Sequence, residues 1–124
     1  MSKILIIDDD AQNRDLASRI LKRNGYDVVH VESGEAGILM AEAEMPDLIF
    51  MDLAMPDIDG FEAAQRIKDA PGTRAIPIIA LTAFVVREET RNRALESGFD
   101  DFESKPVNSR RLLAKIAALL SQSR

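Results

Sequence analysis

Asp52 closes the apolar run Leu48-Ile49-Phe50-Met51, and two other apolar runs also end in residues suited to phosphoryl chemistry. Ile4-Leu5-Ile6-Ile7 leads into Asp8-Asp9-Asp10, and Ile76-Pro77-Ile78-Ile79-Ala80-Leu81 leads into Thr82. A further run, Phe99 to Phe102, is followed by Lys105-Pro106. A carboxylate can attack phosphorus and form an aspartyl phosphate, provided the negative charge gathering around it is offset. Magnesium suits that task, because it takes oxygen ligands and is typically held by one or two carboxylates plus phosphate oxygens. Asp8 and Asp9 supply carboxylates to stand beside Asp52, and the loop Ala54-Met55-Pro56 offers a backbone carbonyl to complete the shell. Clustered carboxylates are costly without a cation, so the set itself argues for a divalent ion. Phosphoryl transfer then leaves positioning and charge stabilisation to the protein. Lys105 provides a point charge for one phosphoryl oxygen and Thr82 a hydroxyl donor for another. No residue of the set is an obvious general base for water, which predicts slow turnover of the phosphorylated form.

Blander readings exist for each residue. An acidic pair after a strand often serves only as a helix N-cap and first turn, but Asp10 is free to do that here. Thr82 alone would be a turn or cap residue and stands through its company. Lys105-Pro106 can be a simple strand terminator; a cis bond there would fix a tight turn and aim the lysine inward. His30, the single histidine, has no partner motif and reads as a strand or surface residue.

For these groups to meet, the strands must be parallel, since only then do their carboxyl ends share one edge, where open α/β sheets bind ligands. Short β-branched runs alternating with helical periodicity support this, and five βα units are counted. The strands are expected at Lys3 to Ile7, Asp27 to Val31, Leu48 to Met51, Ile76 to Leu81 and Phe99 to Phe102, with continuous apolar runs marking the central ones as buried on both faces. The first helix follows Asp10 as N-cap, turns Leu16, Ala17, Ile20 and Leu21 inward, and stops at Asn24-Gly25. The second begins after Ser33 and ends before Pro46, and the third carries Phe61, Ala64 and Ile67. The last uses Leu112, Leu113, Ile116, Leu119 and Leu120. The fourth, about Val86 to Ser97, is nearly all polar, with a Glu89 to Arg93 pair as its main support. A loosely held helix is expected there.

At 124 residues the chain fits one domain, 1–124, able to bury a core without disulfides or structural metal. Its 46% hydrophobic and 30% charged content excludes a disordered chain. The absence of cysteine excludes thiol catalysis and thiolate metal sites. A net charge of -5 argues against nucleic-acid binding, which depends on cations neutralising phosphates. No leader or membrane-spanning run is evident, so the cytoplasm is the expected location.

Taken together, the residues resemble a response-regulator receiver domain (CheY-like) of two-component and phosphorelay signalling. The likeness covers essentially the whole chain. It rests on Ile4 to Asp10, on Pro46 to Gly60, on Ala80-Leu81-Thr82-Ala83 and on Gly98 to Pro106, in that order and spacing. The resemblance implies a doubly wound (βα)5 flavodoxin-like three-layer sandwich with a five-stranded parallel sheet of order 2-1-3-4-5. It makes Asp52 the phosphoacceptor, assigns Mg2+ to Asp8, Asp9, Asp52 and the carbonyl of Ala54, and makes Thr82 and Lys105 phosphate contacts. Thr82 and Phe102 become a switch pair, coupled to the face formed by the fourth helix, fifth strand and fifth helix. Phe102 stands where tyrosine is common, so its inward rotamer is expected to rest on packing alone. Ala54 and Phe84 occupy the two positions that tune dephosphorylation; neither positions water, which implies a long-lived phosphoaspartate.

The implied donor is a phosphohistidine on a sensor histidine kinase or a histidine phosphotransfer protein, docking near Gln12, Asn13, Leu16 and Pro106. Output then passes to a downstream target protein. Such a domain is a signalling phosphoacceptor, not an enzyme acting on other molecules; it catalyses only its own phosphorylation and slow autodephosphorylation. A monomer is expected, with phosphorylation-dependent dimerisation through the fourth-helix face as an alternative. The ends of the sequence favour a stand-alone receiver over one excised from a hybrid kinase. A pseudo-receiver binding partners unphosphorylated is disfavoured by the intact acidic set. A flavin carrier would need a hydroxyl- and glycine-rich first loop, and an aspartyl phosphatase a second carboxylate at position 54, where alanine stands.

Overall fold

Apolar runs of four residues, Ile4 to Ile7, Leu48 to Met51 and Ile78 to Leu81, make the three central strands of the sheet, and their alternation decides which helices cover each face. In the computed structural model, which describes residues 2–82, 88–105 and 107–122, the strands are β1 (Lys3–Ile7), β2 (Asp27–Val31), β3 (Leu48–Asp52), β4 (Ile78–Thr82) and β5 (Asp101–Ser104). The helices are α1 (Ala11–Arg23), α2 (Gly34–Glu44), α3 (Gly60–Asp69), α4 (Glu88–Glu96) and α5 (Ser109–Gln122). All strand pairs are parallel, in the order β2-β1-β3-β4-β5. This is the doubly wound flavodoxin-like order, with its switch point between β1 and β3.

Successive side chains of a strand point to opposite faces. Ile4, Ile6, Leu48, Phe50, Ile79 and Leu81 join Ala17 and Leu21 of α1 and Leu112 and Ile116 of α5 in one cluster. Leu5, Ile7, Ile49, Met51, Ile78 and Ala80 join Ala41 of α2, Ala63, Ala64 and Ile67 of α3 and Ala94 of α4 in the other. The strands β3 and β4 are buried along their whole length, while β2 at the edge is not.

The helix starts follow local chemistry. Asp10 caps α1 by accepting the Gln12 N–H, Ser33 caps α2 by accepting that of Ala36, and Asp59 caps α3 by accepting that of Glu62. At the end of α2, Met45 takes a left-handed conformation (φ 46°) ahead of Pro46.

Four sequence expectations need correction. β4 begins at Ile78, not Ile76, because Pro77 has no N–H to give the ladder; its carbonyl still accepts from Ile49 at 3.0 Å. β5 begins at Asp101, not Phe99, because the Asp100 carboxylate captures the Ile78 N–H at 2.8 Å and Phe99 turns into the core edge-on to Phe61. Leu16 does not face inward but is 41% exposed, since the buried stripe of α1 is Ala17, Ser18 and Leu21. Arg93 does not pair with Glu89. Its guanidinium lies 4.0 Å from the Phe61 ring centroid, with a terminal nitrogen 3.8 Å from Asp59.

The expected thin docking of the fourth helix is visible in α4. Ala94 is its single buried side chain among the described residues. The expected start of this helix at Val86 lies outside the described residues. No described helix is long and apolar enough to cross a membrane.

Candidate acidic metal and phosphoryl site

Parallel pairing puts the last residues of β1, β3 and β4 at one edge. Asp52 ends β3 beside Leu81, Thr82 ends β4 beside Ser104, and Asp8 follows β1 directly. Asp8, Asp52 and Thr82 are all buried, whereas Asp9 is exposed. One carboxylate oxygen each from Asp8, Asp9 and Asp52 lie within 4.8 Å of one another.

Lys105, one residue beyond β5, bridges the two buried carboxylates. Its Nζ donates to Asp52 Oδ2 at 3.0 Å and lies 3.1 Å from Asp8 Oδ2. The Lys105 backbone is registered by its N–H donating to the Thr82 carbonyl at 2.8 Å. The remaining oxygens are held from the backbone: the Asp10 N–H donates to Asp8 Oδ1 at 2.9 Å and the Ala54 N–H to Asp52 Oδ1 at 3.1 Å. Gly60 closes the loop behind Asp52, and a Cβ there would stand 2.7 Å from the Asp52 carbonyl oxygen.

Burial pushes the Asp52 carboxyl above the ordinary aspartate value, opposed by the Ala54 N–H and by Lys105. Burial also pulls the Lys105 ammonium down, but the hydrogen bond and charge of Asp52, with Asp8 beside it, outweigh this and hold it above the usual lysine value. With all three carboxylates ionised, three negative charges and one ammonium leave the cluster two charges short of neutral. Asp8 Oδ2 is buried, and the Lys105 ammonium at 3.1 Å is its one close partner among the described residues. An acidic oxygen with an open lone pair, among hard oxygen donors short of two positive charges, fits a divalent cation such as Mg2+.

The family model of the response regulator receiver domain matches residues 4–117. The chain belongs to the response regulator receiver domain family. It is 41% identical over 110 residues to an uncharacterized 14.6 kDa protein of Leptolyngbya boryana, covering 89% of this chain and 83% of that protein. It is 39% identical to the DNA-binding dual master transcriptional regulator RpaA of Synechocystis, over 99% of this chain but only 51% of that protein. The receiver thus spans about half the length of that regulator. Among solved structures, the receiver domain of the sensor histidine kinase PA1611 of Pseudomonas aeruginosa, with magnesium in its active-site cleft, superposes with a TM-score of 0.88 at 30% identity. That match covers 97% of this chain and 98% of the other. Receivers of this family are phosphoacceptor modules of two-component signalling that bind Mg2+.

Of the residues singled out from this receiver's sequence, Asp8, Asp9, Asp52 and Lys105 converge, and Thr82 lies at the same edge. Phe102 sits on β5 opposite Ala80, two register positions before Thr82 and its partner Ser104, and therefore on the same sheet face as Thr82. Its ring is buried, and the Arg91 guanidinium of α4 stands 5.6 Å from the centroid. Packing is therefore supplemented by a cation over the ring. Phe84, read from sequence as a position that tunes dephosphorylation, and the Lys105-Pro106 bond, read as a cis peptide, fall at least partly outside the described residues.

Two supporting residues escaped the sequence reading. Arg14 donates to the Asp8 carbonyl at 2.7 Å and so fixes the backbone of the acidic turn; its place in the first turns of α1, six residues after Asp8, was the available signal. Glu103, on β5 opposite Leu81, is buried, with Arg111 at 3.0 Å and Lys115 at 3.3 Å tying α5 to β5. Nothing in the local sequence separates it from a solvated acid.

Proposed function

We propose that this receiver accepts a phosphoryl group on Asp52 from a phosphohistidine of a sensor histidine kinase or a histidine phosphotransfer protein. The observation that carries this reading is the bridge of Asp8 and Asp52 by Lys105, with an Asp9 oxygen in the same cluster. In the proposed reaction an Asp52 oxygen forms the new bond to phosphorus as the phosphorus–nitrogen bond breaks, and the imidazole leaves with the bond electrons.

Asp8, Asp9, Asp52 and the carbonyl of Ala54 would hold Mg2+. The ion neutralises charge on the transferring phosphoryl oxygens when bound. Lys105 contributes a point charge to one of those oxygens and the Thr82 hydroxyl a hydrogen bond to another. Thr82 and Phe102, on one sheet face, serve as the switch pair that carries the event to α4.

Gln12 and Leu16, exposed on α1, the helix that follows the acidic turn, supply part of the proposed docking surface for the donor. The face of α4, β5 and α5 is the proposed surface for a downstream protein. The cytoplasm is the proposed setting for such a transfer. Ala54 carries no group able to orient water, in keeping with slow autodephosphorylation.

Intact mass after incubation with Mg2+ and acetyl phosphate tests the reading. One phosphoryl adduct is expected in the wild type and none in Asp52→Asn or without the metal. A wild type that takes no adduct from acetyl phosphate or from a phosphorylated histidine donor would refute it.

A further inference from the structure

The first N–H groups of a helix lack partners within the helix and are usually met by residues just before it. In α2 this holds for one of them, Ala36, whose N–H donates to Ser33 Oγ at 3.2 Å. The other two are met from a different loop. Asp57 accepts the Gly34 N–H on Oδ1 at 3.0 Å and the Glu35 N–H on Oδ2 at 2.8 Å. Asp57 belongs to the segment between β3 and α3, five residues after Asp52.

The same two segments touch through side chains. Ile58 lies so close to Gly34 that a Cβ there would meet Ile58 Cγ1 at 2.5 Å. The segment is also closed at its base, where the Gly60 N–H donates to the Leu53 carbonyl at 3.0 Å, and Asp59 caps α3. Between these ties run Ala54, Met55 and Pro56. Three ties therefore constrain their conformation: the Ala54 N–H on Asp52 Oδ1, the base of the loop, and the crossbar to α2. The α2 end carries the partial positive charge of the helix, so the Asp57 anion is favoured as well as hydrogen-bonded.

We propose that Asp57 is a positioning residue for metal binding: by tying the loop after the phosphoacceptor to the N-terminus of α2, it holds the Ala54 backbone in the arrangement the cation requires. This rests on the reading of Asp8, Asp9, Asp52 and the Ala54 carbonyl as the metal set. Asp57 touches neither metal nor phosphoryl group; it acts through the loop. Residues that orient ligands in this way typically affect metal affinity by roughly 10- to 100-fold when removed.

The test is Mg2+ titration by calorimetry on the unphosphorylated protein, comparing wild type with Asp57→Ala, Asp57→Asn, Ser33→Ala and Asp8→Asn. Asp57→Ala is expected to raise the Mg2+ Kd about tenfold. Ser33→Ala removes a cap from the same helix without cutting the crossbar and is expected to lower the Tm while moving the Kd less than about twofold. Asp57→Asn keeps one acceptor oxygen and is expected to fall between Asp57→Ala and wild type; should Asp57→Ala not fold, this variant decides against wild type and Ser33→Ala.

An unchanged Kd in the Asp57 variants overturns the proposal. An equal loss in Ser33→Ala assigns the effect to α2 stability and overturns it too, and equal losses in Asp57→Ala and Asp57→Asn assign it to distant charge and overturn it likewise. Wild-type binding that survives Asp8→Asn refutes the metal set itself and the proposal with it, a pattern distinct from the others.

Discussion

Lys105 Nζ donates to Asp52 Oδ2 at 3.0 Å, so the ammonium already occupies ground beside one of the two carboxylate oxygens that the proposed metal and phosphoryl group would share. The same nitrogen is 3.1 Å from Asp8 Oδ2. Lys105 is thus both a stabiliser of the resting carboxylates and a competitor of the cation, and its removal separates the two roles.

Lys105→Met is expected to tighten Mg2+ binding about threefold or more, because the acidic cluster loses its internal cation while keeping its oxygens. In the absence of Mg2+ the same variant is expected to lose stability, since Asp8 and Asp52 then repel without compensation. Paired calorimetric titrations and thermal melts with and without the metal measure both. A Kd weaker than wild type would contradict the competition.

The carboxyl of Asp57 is held below the ordinary aspartate value, chiefly by the Glu35 N–H and also by those of Gly34 and its own loop, against a small opposing effect of burial. A group whose folded value is depressed stabilises the fold above its unfolded value, about 3.9, and that contribution is lost as pH falls through the folded value. The stability gap between wild type and Asp57→Asn is therefore expected to be constant near neutrality and to narrow below about pH 4. Urea denaturation at several pH values reads this directly; a gap that widens on acidification would exclude it.

Glu103 is 3% exposed, and its partners Arg111 and Lys115 reach it from the more open surface of α5. Lys115 also donates to the Phe102 carbonyl, so the cluster holds β5 as well as α5. Glu103→Ala is expected to cost roughly 1–3 kcal/mol, less than a fully buried pair because the cations regain water. Chemical denaturation measures the loss, which should exceed that of Glu96→Ala on the exposed side of α4.

Arg93 joins α4 to α3 through the Phe61 ring and Asp59, where α4 buries little of its own. A partly exposed contact of this kind is worth about 0.5–1 kcal/mol. Arg93→Ala is then expected to speed amide hydrogen exchange in α4 roughly two- to fivefold, leaving β1 and β3 unchanged. Equal exchange in the two proteins would show that α4 is held by something else.

Much of this receiver was legible before its structure. The bounds of β1 and β2, the cap Asp10, the start of α2 after Ser33, and the shared edge of Asp8, Asp52 and Thr82 all follow from local patterns: apolar runs, capping residues and the parallel pairing they imply. Such patterns act over a few residues, so the sequence by itself determines them. Tertiary structure alone decided the rest. Asp57 reads as a turn residue until α2, 22 residues away, brings its free N–H groups alongside. Asp100 delays the start of β5 only because the Ile78 N–H lies within reach. Arg14 and Glu103 look like ordinary surface charges until the Asp8 carbonyl and the cations of α5 close over them. In each case a charged side chain takes its role from an unpaired partner on a distant segment, and which segments become neighbours is settled by the packing of helices on the sheet.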